Sequence, residues 1–135
     1  MNIRRFESAD ERAVVALWQR CGLDGPRNEP VRDIALKRSW QPERFFVGEL
    51  DGTVVGTVMA GYEGHRGWIN YLAVDPDAQR HGVGRALMLA AEDSLRALGC
   101  PKINLQVRSV NEAVVAFYRH LGYAVDEVIS LGKRL

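Results

Sequence analysis

The residues best suited to chemistry lie in one stretch, Asp75-Pro76-Asp77-Ala78-Gln79-Arg80-His81-Gly82-Val83-Gly84-Arg85-Ala86. An apolar run ends just before it, and a helical pattern starts within it. A helix N-terminus presents backbone N–H groups without intrahelical acceptors and carries partial positive charge, so it attracts phosphate oxygens. Gly82 and Gly84 let the backbone approach such an oxygen, and Arg80, His81 and Arg85 add local positive charge. The pattern suits an anion, and it also suits an ordinary tight strand-to-helix turn. Two common nucleotide motifs do not fit. A Walker loop needs Lys-Ser or Lys-Thr after its last glycine, where Arg85-Ala86 stands. The dinucleotide fingerprint needs a third glycine where Leu87 stands.

The elements that must position this loop are legible from periodicity. Residues 2–7 alternate as a strand. Ser8 and Glu11 read as a capping box opening a helix over about 9–21, with Val14, Leu17, Trp18 and Cys21 in helical register. Two glycines and two prolines make 21–30 a loop, and Val31, Ile34, Ala35 and Arg38 predict a short helix over about 30–40. Residues 44–50 and 53–62 are strands around an Asp51-Gly52 hairpin turn. A glycine-rich tip, Gly61–Gly67, leads to a strand over 68–74. Leu87, Ala90, Ala91, Ser94, Leu95 and Leu98 then mark a helix over about 84–98, stopped by Gly99 and Pro101. A short strand over 102–107 follows. Ser109 and Glu112 form a second capping box, for a last helix carrying Val114, Phe117, Tyr118 and Leu121. The tail 123–135 reads as one or two further strands. This order implies an α/β (mixed α+β) chain, with a mixed sheet of six to seven strands and four helices over both faces.

Composition bounds the function. With 135 residues, 18 Lys and Arg against 17 Asp and Glu, and a net charge of +1, residues 1–135 are expected to form a single domain with no face for bulk binding of nucleic acid. No run reaches the roughly 20 apolar residues that span a bilayer, so no membrane partner is expected. Cys21 and Cys100 have no metal-like spacing and read as reduced thiols of a cytoplasmic protein.

Two motifs together resemble a known family. Gln79-Arg80-His81-Gly82-Val83-Gly84 after Leu72-Ala73-Val74 looks like the pyrophosphate loop of the GNAT superfamily of N-acetyltransferases, whose pattern is Gln-x-x-Gly-x-Gly. Asn111 opening a late helix, with Tyr118 seven residues on and Leu121-Gly122-Tyr123 after it, resembles that family's second hallmark. The stretches 61–67, 99–103 and 130–135 are similar to the YpeA-like bacterial acetyltransferases within it. The resemblance covers essentially the whole chain and implies an acetyl-CoA-dependent transferase that moves the acetyl group directly to a primary amine of a small molecule, peptide or protein.

Residue by residue, it implies that Leu72, Ala73 and Val74 pair with the pantetheine arm. Gln79, Arg80, His81, Gly82, Val83, Gly84 and Arg85 would hold the pyrophosphate. Asn111 would contact the cofactor arm, and Tyr118 would act as general acid toward the CoA thiolate as well as touching the cofactor. No metal is implied. The family's usual glutamate base has no counterpart, because Trp68 stands at its place; Glu63, His65 or a water string are the candidates. Taking a proton from a lysine-type amine at pH 7 costs about 4.6 kcal/mol, against about 1.4 kcal/mol for an α-amine. A weak base therefore favours an α-amine acceptor. The acceptor pocket is expected among 22–30, the second helix and the 61–67 tip, with Trp40, Tyr62, Trp68 and Tyr71 lining it and Arg27 or Arg66 steering a carboxylate. The alternative is a non-catalytic acyl-CoA-binding or sensing module. A monomer or a homodimer built on residues 125–131 both suit the chain.

Overall fold

A computed structural model describes residues 1–135. The chain divides into two compact units, Met1–Leu105 and Gln106–Leu135. The first contains β1 (Asn2–Arg5), α1 (Glu11–Arg20), α2 (Pro30–Ser39), β2 (Phe45–Leu50), β3 (Thr53–Tyr62), β4 (Gly67–Val74), α3 (Val83–Arg96) and β5 (Ile103–Asn104); the second contains α4 (Glu112–His120). No helix is long and apolar enough to cross a membrane.

The sheet runs β1-β2-β3-β4-β5, antiparallel except for the parallel β4–β5 pair. It is mixed, as expected, but has five strands rather than six or seven. The tail over 123–135 pairs with no strand, and its Val125, Val128, Ile129 and Leu131 are exposed. Alternating apolar residues give a segment strand propensity; a strand also needs a free edge in register, which composition does not encode. The strand expected over 102–107 is reduced to Ile103–Asn104.

Asp51 and Gly52 both take positive φ, 51° and 77°, the backbone a two-residue hairpin turn requires. Inward residues of β2 and β3 alternate between the two faces. Phe45, Val47, Val54 and Met59 join Val14, Leu17 and Trp18 of α1 and Ile34 of α2 in one core cluster. On the other face α3 packs on β2, β3 and β4 through Val83, Leu87, Met88, Ala91 and Leu95. Its first turn rests on a cross-strand glycine pair, Gly48 opposite Gly56. A Cβ on Gly56 would lie 2.8 Å from Leu87 Cδ1 and 2.9 Å from Val83 Cγ1. A side chain at Gly56 would lift the helix off the sheet.

Both capping boxes differ from expectation. The first forms one residue earlier, between Glu7 and Asp10, because Asp10 is also held by Arg4: two guanidinium N–H groups donate to its carboxylate, each at 2.8 Å. Arg4 Nε donates to Glu49 as well, tying β1 to β2 and to the entry of α1. At α4, Asn111 rather than Ser109 is the N-cap residue, and no side chain caps the helix. The inward face of α2 also differs. Val31, Ala35 and Arg38 are exposed, while Asp33 and Lys37 flank buried Ile34.

Removing the Asp10 carboxylate is expected to cost about 2–3 kcal/mol in urea unfolding of Asp10→Ala at pH 7, since a buried charge-assisted pair is broken. The hydrogen bonds from Arg4 hold the Asp10 carboxyl below its ordinary value. Its stabilisation is therefore complete above about pH 4 and is lost as pH falls through the folded-state value. The gap between wild type and variant should narrow as pH falls below about 4.

Candidate active site

The loop after β4 is built around a helix start left open. Asp75 Oδ1 accepts the Asp77 N–H at 3.0 Å, and its Oδ2 accepts from Arg20 at 2.8 Å, which fixes the tight turn Pro76–Ala78. These donors hold the Asp75 carboxyl below its ordinary value, the Asp77 N–H being the larger cause. Arg80 and Gly82 then both enter the left-handed region, at φ 75° and 72°. Gly82 takes it without steric cost; Arg80 does not. Gly82 is the N-cap of α3, no side chain caps that helix, and no acidic residue lies in its first turn. The N–H groups of Val83, Gly84 and Arg85 are free for an outside acceptor. Gln79, Arg80, His81 and Arg85 are exposed around them, while Val83 and Gly84 are buried, so these two can offer only backbone groups. The arrangement is a cradle suited to an anion, with no acidic residue in the first turn of the helix.

Leading into the cradle, β4 offers an open strand edge. β5 pairs only as far as Gly67 with Ile103 and Trp68 with Asn104. Beyond Trp68 no strand lies on that side of β4, and Leu72–Val74 run past the end of the pairing. The Val74 carbonyl accepts only a weak contact from the half-buried Cys21 thiol, at 3.5 Å. Burial raises that thiol's pKa. Cys21 and Cys100 are both free. On its other edge β4 carries a bulge: Thr57 pairs with Ala73 and Met59 with Asn70, so Tyr71 and Leu72 together face Val58. Tyr71 sits at φ 52°, a conformation that costs a bulky residue on the order of 1–3 kcal/mol unless its surroundings enforce it.

Beside that bulge is a cavity of about 420 Å³, lined by Asn28, Asp33, Leu36, Lys37, Trp40, Met59, Asn70 and Tyr71. The loop over 22–30 supplies Asn28 and α2 supplies Asp33, Leu36 and Lys37; Trp40 and Tyr71, two of the aromatics named above, belong to this lining. The tip over 61–67 does not, nor do Tyr62 and Trp68, and the cation in the lining is Lys37 rather than Arg27 or Arg66. Tyr71 donates its phenol proton to Asp33 at 2.6 Å. Burial, then that hydrogen bond, raises the Tyr71 pKa. Lys37 donates to the Ala60 carbonyl, and burial lowers its pKa. Glu63, offered as a base, is fully exposed. Its carboxylate accepts the backbone N–H groups of Arg66 and His65, which hold its pKa below the usual range.

In the second unit Asn111 and Tyr118 share α4. Asn111 is exposed at its start and Tyr118 is buried two turns on, edge-on to Phe117 and Tyr123. Burial pushes the Tyr118 phenol up to about 12.

Sequence reasoning did not single out Asp33 or Lys37 of the cavity lining, nor Thr57 beside the bulge. A signal for Thr57 was present: it is the lone polar side chain within the buried run of β3. Asp33 and Lys37, four apart, carried one too, as polar residues on the only face of α2 that has an apolar anchor.

Direct comparison shows the family to which the chain belongs. Residues 7–123 match the Acetyltransferase (GNAT) family, and the chain belongs to it. It is an N-acetyltransferase of that family. An acetyltransferase of Yersinia pestis (strain Pestoides F) is 47% identical over 135 residues, covering 100% of this chain and 96% of its own length. The ribosomal-protein-S18-alanine N-acetyltransferase from Escherichia coli is 31% identical, with a TM-score of 0.74, covering 90% of this chain and 76% of its own. An aminoglycoside N-acetyltransferase, AAC(6')-Iy, solved in complex with CoA, shares the fold at 18% identity and a TM-score of 0.79, over 99% of this chain and 95% of its own.

Proposed function

We propose that the protein transfers the acetyl group of acetyl-CoA directly to a primary amine, with an α-amine as the preferred acceptor. The observation that carries the reading is the uncapped, acid-free start of α3 placed directly after the unpaired edge of β4. A pyrophosphate suits the first feature and an amide-bearing arm suits the second. Leu72, Ala73 and Val74 would hold that arm, Gln79 through Arg85 the pyrophosphate, and Asn111 and Tyr118 of α4 would complete the cofactor contacts. On this reading both units serve one catalytic domain, as a family match spanning 7–123 supports.

The amine enters the cavity beside Tyr71. Its nitrogen attacks the thioester carbon, a C–N bond forms, the C–S bond breaks, and Tyr118 donates its proton as charge develops on sulfur. The nitrogen's proton passes to water, since Glu63 does not line that cavity and its carboxylate accepts from backbone N–H groups of its own loop. An unassisted site works best on amines that are already partly neutral. The reaction is placed in the cytoplasm, a setting that suits two free thiols.

The test is thiol release from acetyl-CoA across a panel of amines. At pH 7, kcat/KM is expected to be about tenfold or more greater for a peptide α-amine than for a blocked peptide carrying only a lysine amine. Equal or inverted preference would remove the α-amine reading; no thiol release with any amine would remove the transfer reading.

A further inference from the structure

Tyr71 is held at three separate points. Its carbonyl accepts the Thr57 hydroxyl at 2.8 Å, and Thr57 Oγ1 in turn accepts the Trp18 indole N–H at 2.9 Å. Its ring stacks on Trp18 with centroids 3.8 Å apart and planes within 16°. Its phenol oxygen donates to Asp33 of α2. Thr57 and Trp18 are fully buried. A bulge removes a ladder hydrogen bond, and here a side-chain hydroxyl from the neighbouring strand supplies the donor that the Tyr71 carbonyl would otherwise lack. A buried threonine serves this position for a reason of valence. Its hydroxyl donates once, to the carbonyl, and accepts once, from the indole, so the indole, the hydroxyl and the carbonyl all have partners.

The residue so fixed comes immediately before Leu72–Val74, the unpaired edge of β4. Without these ties the left-handed Tyr71 would relax toward the extended region, which removes the bulge and rotates the following residues about the strand axis. We infer that Thr57, backed by Trp18, is a positioning residue that holds the β4 bulge and thereby aims the open backbone edge at the arm of the acyl carrier. The inference rests on the reading of that edge given above. It separates two parts of one binding site: the anion cradle at α3, which the pin does not touch, and the strand edge, which it controls.

Two probes distinguish these parts, CoA and 3′-phospho-ADP, which stops at the pyrophosphate. Isothermal titration on the full chain is expected to show Thr57→Val binding CoA about tenfold more weakly while 3′-phospho-ADP binds within twofold of wild type, and Thr57→Ser recovering CoA affinity. Tyr71→Phe keeps the ring stack and the pinned carbonyl and loses only the tie to Asp33. It should show the same selectivity for CoA with a smaller loss, about two- to threefold, so a poorly folding Thr57→Val leaves the question decidable. Equal weakening of both probes in either variant would mean the contact is merely structural, and no weakening of CoA would mean the edge is held otherwise; either result overturns the inference. If wild type bound neither probe, the cofactor reading itself would fall, an outcome distinct from both.

Discussion

Tyr118→Phe is expected to lower kcat by about 10²- to 10³-fold while the Kd for CoA changes little, because it removes the one hydroxyl that carries the proton and almost no contact area. The size follows from where the phenol sits. Sequence alone pairs a phenol near 10 with a thiol near 8.5, a short step for a proton. Burial on α4 pushes Tyr118 up to about 12. Transfer to a solvated thiolate would then be uphill by about 5 kcal/mol. The same desolvation disfavours a bare thiolate and narrows that gap, so on the proposed mechanism Tyr118 would hydrogen-bond to sulfur as the C–S bond stretches and pass its proton only as charge builds there. That role is smaller than a full downhill proton transfer, and it places the loss below the upper end for general acids.

The pH profile gives a second reading of the same group. Tyr118 stays protonated throughout the working range, so wild-type kcat/KM should rise with the fraction of neutral amine, near pH 8 for an α-amine, and stay level to about pH 10. The variant should show the same acid limb with a lower plateau. Above pH 10 the unfolded chain ionises its tyrosine before the folded one does, so stability falls there first and bounds the measurement. A wild-type decline centred well below pH 10 that vanishes in Tyr118→Phe would contradict the high value and the role built on it.

What the sequence revealed of this site followed the range of its interactions. The open, acid-free start of α3 was legible because its parts are adjacent in the chain: Gly82, Gly84 and the flanking arginines fall within about one turn of helix. The hairpin at Asp51-Gly52 was legible for the same reason. The Tyr71 pin was not, since it joins residues 18, 57 and 71 on three elements, and Tyr71 reads locally as one more aromatic in an apolar strand. The bulge is equally silent: an extra residue in β4 shows only once β3 is laid beside it.

The first capping box failed in an instructive way. Ser8 and Glu11 satisfy the local pattern, and Glu7 with Asp10 satisfies it too, one residue earlier. Arg4 decides between them by drawing the Asp10 carboxylate toward β1, a tertiary interaction overriding a local one. Along the tail the balance ran the other way. Val125, Ile129 and Leu131 have strand character, but strand propensity without a partner edge produced no strand.

Gly56 is where fold and function meet most tightly, and Gly56→Val is expected to be the most damaging single change in the first unit. A strand glycine replaced by a β-branched residue ordinarily gains stability, through a stiffer unfolded chain and better strand propensity. Here the new Cβ would stand 2.8 Å from Leu87 Cδ1, 2.9 Å from Val83 Cγ1 and 3.1 Å from the Ala73 carbonyl oxygen. The two side chains belong to the first turn and a half of α3 and cannot swing away without leaving the core. The carbonyl belongs to β4, directly before the cradle, and cannot move without disturbing the ladder. Overpacking of this kind costs about 1–3 kcal/mol for a methyl, and the larger valine should exceed it. The helix start is the part with least to hold it, so it should yield first. Affinity for CoA and for 3′-phospho-ADP should then fall together, by about tenfold or more, since the displaced groups are the N–H donors of Val83, Gly84 and Arg85. Gly48→Ala, whose Cβ would meet only side-chain atoms at 3.3 Å or beyond, should be much milder. The contrast with Thr57→Val, which is expected to spare the nucleotide fragment, would make the pair a map of the proposed site: one glycine seating the end proposed to bind phosphate, and one threonine aiming the strand proposed to bind the arm. If Gly56→Val lost CoA affinity but kept that of the fragment, the seat of α3 would not be what orients the cradle.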